Sequence, residues 1–267
     1  MQAMTLEKPT TSAGKFFKEN GYYHAKGVYD PDEIAGLEID FDRIVHQLQG
    51  SGEVINATWK GKTMQDLGAA EKVIIHTHHV ENYSARFHRA FMQERFLGLA
   101  SEILGPDIIL HHSKLFQKPP EKGSPFPMHQ DWLYFPTVKD TMMAGIIHIS
   151  EATDEMGCLR IYPGSHKLGR FQHTMGQEED GGNDILKNYP LDKAMIVEAE
   201  PGDVLFFHYF LLHGSMPNRS PKTRKTVLVQ LYAGDDQVEE GNTHMDSKLV
   251  LQGWNHRATR NKAGGKK

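Results

Sequence analysis

The spacing of apolar residues changes once along the chain, at Gly105-Pro106, and this change constrains the fold most strongly. Before it, apolar residues recur at helical spacing, as along residues 31–49. After it, short apolar runs alternate with turn residues, a pattern typical of strands. We therefore predict one domain with a helical N-terminal part over about 1–106, a β core over about 107–235 and a C-terminal extension over 236–267.

The predicted elements favour a mainly β fold with flanking helices. Helices are expected over residues 13–20, 31–49 and 82–104, and Asp30-Pro31 supplies an N-cap and a first-turn proline for the second. Strands are expected over 108–117, 142–149, 159–162, 195–198, 204–209 and 226–233, with a tight turn at Pro201-Gly202-Asp203. Many short strands joined by turns suggest a β-sandwich or jelly roll, with the helices packed on one sheet.

Composition excludes several classes of protein. The net charge of −4 gives no electrostatic basis for binding nucleic acid or an anionic membrane. The longest strongly apolar stretch, residues 204–212, is far shorter than the roughly 20 residues that span a bilayer, and residues 1–14 lack a secretory signal pattern. A lone cysteine, Cys158, suits a reducing compartment. We expect a cytoplasmic protein and make no prediction of its oligomeric state.

The segment His129-Gln130-Asp131 carries the first chemical signal. In an extended segment, side chains two residues apart point to the same side, so one imidazole and one carboxylate can reach one metal. His213, which follows an apolar strand and precedes Gly214, is the candidate for a third ligand. Two nitrogens and one carboxylate on one face leave three coordination positions open, as in sites that hold Fe(II) for O2 chemistry.

A cationic side chain follows the third candidate ligand. Arg224 lies eleven residues after His213, where it enters a predicted strand. A buried guanidinium can hold a carboxylate with two parallel hydrogen bonds. A dicarboxylate could therefore chelate the metal at one end and meet Arg224 at the other.

At this point the chain resembles the phytanoyl-CoA dioxygenase family of Fe(II)- and 2-oxoglutarate-dependent oxygenases. The resemblance covers roughly residues 108–235, and its motifs occur in the order of the family. They are Lys118-Pro119-Pro120, His129-Gln130-Asp131, Tyr134-Phe135-Pro136, Gly157-Cys158-Leu159, Pro163-Gly164-Ser165-His166-Lys167, Pro201-Gly202-Asp203, Phe206-Phe207-His208, and His213-Gly214-Ser215 through Asn218 to Arg224. It implies a double-stranded β-helix, the cupin-like form of jelly roll.

The resemblance also implies roles for individual residues. The implied Fe(II) ligands, which form the catalytic centre, are His129, Asp131 and His213. The implied 2-oxoglutarate contacts are Arg224 at the distal carboxylate, Ser215 beside it, Lys114, and Gln130, which would contact either 2-oxoglutarate or the substrate. His76 stands where the family commonly has a lysine that contacts the cosubstrate, so that contact is in doubt.

The implied reaction is hydroxylation of an unactivated C–H bond, coupled to O2 consumption and decarboxylation of 2-oxoglutarate to succinate. Asp131 argues against halogenation, since related halogenases lack the carboxylate ligand. Desaturation, epoxidation or rearrangement could use the same ligands. Two alternatives belong to other classes. One is a non-redox jelly roll that binds a metal structurally or senses 2-oxoglutarate, although such proteins usually lose a ligand or the carboxylate-binding arginine. The other is a zinc hydrolase, which gives Arg224 no role.

The substrate is predicted only as a small molecule, either an acyl-CoA or a natural-product or metabolite intermediate. Trp132 and Tyr134, directly after the ligand motif, are candidate substrate contacts, because rigid aromatic rings suit apolar ligands. The acidic, Gly-rich segment 177–188 is expected to be a surface loop that could cover the site. His78 and His79 are adjacent and would face apart in a strand, so no second metal site is expected there.

Overall fold

Four helices precede the first long strand of the computed structural model, which describes residues 12–52, 56–57, 74–121, 123–171 and 188–258. They are α1 (Ala13–Asn20), α2 (Pro31–Gly50), α3 (Ala85–Phe91) and α4 (Glu94–Leu104). The predictions over 13–20 and 31–49 are confirmed, including the Asp30 cap, whose carboxylate accepts from the Glu33 amide. The expected loop over 177–188 lies almost wholly outside the described residues.

The prediction of one helix over 82–104 is wrong, because the chain forms two. A 3-10 turn (Val80–Asn82) leads to α3, which Ser84 caps by accepting from the amides of Arg86 and Phe87. Gln93 then caps α4 through a hydrogen bond from the Phe96 amide. Each cap satisfies amides that have no partner within their own helix, so the apolar stripe continues while the helix breaks.

The strands of the described residues form two antiparallel sheets. Their bounds are β1 (Tyr22–Ala25), β2 (Asn56–Ala57), β3 (Ile74–His78), β4 (Ile108–Lys118), β5 (Phe126–His129), β6 (Met143–His148), β7 (Leu159–Ile161), β8 (Met195–Val197), β9 (Val204–His208), β10 (His213–Ser215), β11 (Arg224–Ala233) and β12 (Leu249–Gln252). The large sheet has the order β1-β9-β6-β11-β4-β3-β2, with β12 also paired to β4. The small sheet has the order β5-β10-β7-β8.

Alternation along the strands builds two separate apolar layers. Phe206 on β9 and Val227 on β11 join the helices in the outer core, together with Phe41 of α2 and Phe96 of α4. Phe207, the next residue on β9, packs instead with Leu205 and with Ile161 and Val197 of the small sheet. Neighbouring residues of a strand point to opposite faces, so the large sheet is covered by helices outside and by the small sheet inside. This is the jelly-roll fold that was predicted.

Pro201-Gly202 makes the expected tight turn between β8 and β9. The Asp203 amide donates to the Glu200 carbonyl at 3.1 Å, and Gly202 has φ +91°. A Cβ on Gly202 would lie 2.3 Å from the Tyr29 carbonyl oxygen, so only glycine fits both the backbone angle and the space.

Strands from outside residues 107–235 also belong to the large sheet. From the N-terminal part, β1 pairs with β9 and β3 pairs with β4; from the C-terminal part, β12 pairs with β4. The helical and extended parts therefore contribute strands to the same framework that holds the candidate site. Within the described residues, no helix is long and apolar enough to cross a membrane.

Candidate metal centre and cosubstrate pocket

His129, Asp131 and His213 come together between the two sheets. The Nε2 atoms of His129 and His213 lie 3.4 and 3.6 Å from Oδ1 of Asp131, and all three side chains are buried. The pairing of β5 with β10 sets His129 directly opposite His213, with ring centroids 4.1 Å apart. The three side chains thus present their donor atoms to one point. The shared direction of His129 and Asp131 is the one that the His-x-Asp spacing predicts.

Backbone hydrogen bonds fix which ring nitrogen faces that point. Nδ1 of His129 donates to the Pro127 carbonyl at 2.8 Å, and Nδ1 of His213 donates to the Leu211 carbonyl at 2.9 Å. A carbonyl can only accept, so each Nδ1 carries a proton, and in the neutral ring it is Nε2 that has the lone pair. Metal-binding histidines are usually oriented by such a hydrogen bond from the other ring nitrogen.

Gln230 positions the carboxylate. Its Nε2 donates to Oδ2 of Asp131 at 3.1 Å, which leaves Oδ1 directed toward the two histidines. Gln230 is fully buried on β11 and was not among the residues predicted for the site. Its signal in the sequence is position, since it lies six residues after Arg224 and therefore on the same face of the strand.

The electrostatics of the trio suit metal coordination. Burial lowers the pKa of His213 to about 4, and the neighbouring His129 acts in the same direction. Burial alone would raise the pKa of Asp131, but His213, His129 and the Gln230 hydrogen bond outweigh it and lower the pKa. At neutral pH, His213 is therefore neutral and Asp131 ionised, which are the protonation states that bind a metal. The donor set fits a divalent metal of the Fe(II) type with open coordination positions.

Arg224 lies at the start of β11, on the inner face that also carries Gln230. It is buried, one Nη1–H donates to the Gly157 carbonyl, and its Nε has no hydrogen-bond partner among the described residues. Burial lowers its pKa to about 10, so the guanidinium remains charged at neutral pH. A buried cation with an unsatisfied N–H is a suitable binding group for a carboxylate.

Lys118 and Ser215 lie beside this guanidinium. Nζ of Lys118 donates to Oγ of Ser215 at 2.6 Å and to the Met216 carbonyl at 2.9 Å, and it approaches the Gly157 carbonyl at 3.5 Å. The register of β4 and β11 pairs Lys118 with Arg224. Two buried cations and a hydroxyl thus share one region. Lys118 was noted as part of a motif, but its role beside Ser215 was not predicted.

Lys114 lies on the same face of β4, four residues before Lys118. Its Nζ lies 4.8 Å from the centroid of the Phe116 ring. Burial lowers its pKa to about 8, while the charge of Asp131 acts in the opposite direction. Lys114 is therefore a cation that faces the metal centre rather than the Arg224 end of the site.

Gln130 has a different role from the one predicted. Its Nε2 donates to the carbonyls of Gly169 and Phe210, at 2.9 and 2.7 Å, and its Oε1 accepts from the Phe171 amide at 3.0 Å. The cause is its position between the two ligands, which turns its side chain to the opposite side. The amide fastens neighbouring loops, so the expected contact with 2-oxoglutarate is corrected to a structural role.

Trp132 and Tyr134 directly follow the ligand motif. Trp132 is half-buried, with the Arg170 guanidinium carbon 5.1 Å from the ring centroid and with a buried Nε1 that has no hydrogen-bond partner in the described part of the chain. Burial and the charge of Asp131 raise the pKa of Tyr134, so its hydroxyl stays protonated. Tyr134 therefore lies within electrostatic range of Asp131.

Comparison with known proteins decides the family. The sequence model of the phytanoyl-CoA dioxygenase (PhyH) family matches residues 17–226. The chain belongs to this family. It is accordingly a 2-oxoglutarate-dependent oxidoreductase, with iron, 2-oxoglutarate and O2 as its metal and cosubstrates.

Curated relatives span several substrates. The chain is 27% identical over 236 residues to the peroxisomal phytanoyl-CoA dioxygenase of Mus musculus, covering 85% of this chain and 70% of the relative. It is 25% identical over 246 residues to the ectoine dioxygenase of Stutzerimonas stutzeri, covering 84% and 76%. Similarity to members named for such different substrates gives the reaction class without a specific substrate.

Solved structures share the fold. The carbocyclase SnoK from nogalamycin biosynthesis superposes with a TM-score of 0.70 at 20% identity, covering 90% of both chains. EctD from S. alaskensis superposes with a TM-score of 0.68 at 21% identity, covering 95% of this chain and 88% of that one. At these identities the superpositions support the jelly-roll architecture alone.

Proposed function

We propose that this PhyH-family oxygenase hydroxylates an unactivated C–H bond of an anionic small molecule, with His129, Asp131 and His213 as the iron ligands. The buried trio is the observation that carries the proposal, because both imidazole Nε2 atoms face one carboxylate oxygen at 3.4 and 3.6 Å. Pro127, Leu211 and Gln230 hold those groups in the coordinating orientation before any metal binds. Such preorganisation leaves little reorganisation for metal binding.

The chain's own residues orient the cosubstrate. Arg224 would hold the distal carboxylate of 2-oxoglutarate, with Ser215 beside it and Lys118 adding positive charge. The keto acid end would then reach the open positions beside Asp131. When bound, iron with 2-oxoglutarate and O2 supplies the oxidising power for C–H hydroxylation, and the cosubstrate becomes succinate and CO2. Burial of the trio keeps bulk water away from the reacting atoms.

The substrate is proposed to carry a negative charge. Lys114 is a half-buried cation within electrostatic range of Asp131, and Trp132 and Tyr134 are proposed to contact the substrate. An acyl-CoA and a carboxylated natural-product intermediate both meet this requirement. The strands β1, β3 and β12 are proposed to belong to the same catalytic domain as the β core, since they pair directly with β9 and β4.

Conversion of 2-oxoglutarate to succinate tests the proposal. Protein supplied with Fe(II), O2 and 2-oxoglutarate is expected to form succinate, faster when a panel of acyl-CoAs and carboxylated metabolites includes the substrate. Asp131→Ala is expected to abolish this turnover, because iron loses its only carboxylate ligand from the protein. Product mass separates hydroxylation, which adds one oxygen atom, from desaturation, which removes two hydrogens. Folded protein that forms no succinate with any panel member would contradict the proposal.

A further inference from the structure

A second histidine cluster lies beside the metal centre, since the strand register pairs His112 with Gln230, the residue that donates to Asp131. It consists of His78 at the end of β3, His112 on β4 and His244 in the segment between β11 and β12. Each residue offers one ligand atom, and these atoms all lie within 4.8 Å of one another. A single Zn(II) with Zn–N bonds of about 2.0–2.1 Å holds its nitrogens roughly 3.3 Å apart, so small side-chain rotations would close the site.

Three separate parts of the chain converge on this cluster. The register of β3 and β4 pairs His78 with Lys114, two residues from His112. The ring centroid of His244 lies 5.0 Å from that of His78 and 4.9 Å from that of His112. The segment that carries His244 is fastened by the Thr243 amide, which donates to the Tyr134 carbonyl at 2.9 Å. Backbone hydrogen bonds therefore hold the segments that carry the three histidines in place, in addition to any contact between the imidazoles.

Hydrogen bonds fix which nitrogen has the lone pair at one of the rings. The hydroxyl of Thr243 donates to the Tyr134 carbonyl at 3.0 Å, so its oxygen must accept from Nδ1–H of His244, 2.9 Å away. Nε2 of His244 is then the nitrogen without a proton. Nδ1 of His112 lies 2.6 Å from Nδ1 of His111, so one proton lies between them, and coordination through Nε2 of His112 requires that His112 donate it. His244 is oriented through its other ring nitrogen, as the histidines of the main centre are.

A β-bulge explains why the spacing of histidines did not reveal the cluster. The register of β11 against β4 shifts between Gln230 and Leu231, which pair with His112 and Leu110. His111 is the extra residue, and both adjacent histidines are buried beside Phe135, with ring centroids 5.5 and 5.3 Å from it. Such a bulge re-aims side chains at a functional edge.

We propose that His78, His112 and His244 form a second metal site, which takes a divalent transition metal of the zinc class. Three imidazole nitrogens suit Zn(II), Co(II), Ni(II) or Cu(II). They do not suit Mg(II) or Ca(II), which prefer oxygen ligands. The fourth position is left for water or an anion. Lys114, two residues from His112 on the same strand face, favours an anion there. The site would tie the segment that carries His244 to β3 and β4.

The test uses a variant that lacks the main centre, so its result does not depend on the proposed iron site. Tag-free His129→Ala/Asp131→Ala protein is freed of metal by a chelator, equilibrated with Zn(II), passed through a desalting column and assayed for bound zinc. One equivalent per chain is expected. Adding His244→Ala is expected to reduce it to none, whereas His46→Ala, at an exposed histidine of α2, is expected to retain it.

Titration with Co(II) gives a second measurement on the same proteins. Visible d–d bands of four-coordinate intensity are expected in the double variant and are expected to vanish with His244→Ala. His78→Gln replaces His244→Ala if the latter loses its cooperative thermal transition. Two results would overturn the proposal: zinc retained after both His244→Ala and His78→Gln, or no zinc bound by the folded double variant. The three imidazoles would then contact the substrate or only pack against their neighbours.

Discussion

Replacing Arg224 with glutamine is expected to weaken 2-oxoglutarate binding far more than it affects the fold. The guanidinium is buried, and its Nε has no hydrogen-bond partner among the described residues, so a bound carboxylate would complete its hydrogen bonding. Hydrogen bonds to charged groups contribute about 1.5–3 kcal/mol, and each 1.4 kcal/mol is tenfold in affinity. The dissociation constant should therefore rise roughly 10- to 150-fold.

The assay is the dependence of succinate formation on 2-oxoglutarate concentration, with the binding constant measured separately without O2. The KM for 2-oxoglutarate should rise with a smaller change in kcat, because Arg224 contacts the end of the cosubstrate that does not react. Arg224→Lys should lie between wild type and Arg224→Gln, since it keeps the charge and loses the two-pronged geometry.

Arg219 provides the matched control. It is an exposed arginine in the same connection between β10 and β11, so Arg219→Gln removes a charge without removing a buried donor. Its KM should equal that of wild type. A folded Arg224→Gln protein with unchanged affinity for 2-oxoglutarate would refute the assignment of Arg224 as the cosubstrate anchor.

Three other residues, Gln230, Asp203 and Cys158, give further predictions. Gln230→Leu should weaken Fe(II) binding about 10- to 100-fold in a metal titration, because Oδ2 of Asp131 loses its donor; unchanged affinity would remove Gln230 from the site. Burial would raise the pKa of Asp203, but Lys26 and the amides of Gly27 and Glu200 lower it overall. Its stabilising effect should therefore be complete above its unfolded pKa of about 3.9 and be lost as the pH falls through the lower folded value. Urea unfolding should show Asp203→Asn less stable than wild type at pH 7, with the gap closing in acid; a gap that is independent of pH would contradict this. Burial raises the pKa of Cys158 to about 11, so native protein at pH 8 should resist iodoacetamide, judged by intact mass, while urea-unfolded protein reacts fully.

The grouping of His129, Asp131 and His213 followed from local rules and from a motif. Two ligands lie two residues apart on an extended segment, so their shared direction is a property of the chain itself. The partner across the sheet, His213, was a candidate from its place after an apolar strand, and the family resemblance supported it. Strand pairing over more than eighty residues is not a local property, so spacing alone could not establish it.

The residues that support the trio depend on register, which explains why they were missed. Gln230 reaches Asp131 only because β11 aligns with β4 and β6 in one register, with a shift beside Gln230. Lys118 reaches Ser215 through the approach of the two sheets. Neither alignment has a strong sequence signal, because both faces of the large sheet are covered and its strands carry apolar residues on both sides.

Helix boundaries are also hard to predict from the sequence, although they depend on contacts at shorter range. Residues 82–104 keep an apolar stripe throughout, yet the chain breaks at Met92 and Gln93. The signal was the capping side chain of Gln93, which is a weaker and rarer cap than Ser, Thr, Asp or Asn. Apolar spacing records which face is buried, and it does not record whether the backbone between two turns is continuous.

Anaerobic titration of metal-free protein with Fe(II) and then 2-oxoglutarate, followed by visible absorption, tests the central claim most directly. A weak charge-transfer band that needs both additions is expected, because 2-oxoglutarate would chelate iron held by His129, Asp131 and His213. The band should be absent in Asp131→Ala and should require more 2-oxoglutarate in Arg224→Gln. Folded wild-type protein that binds Fe(II) but develops no band with 2-oxoglutarate would contradict the account.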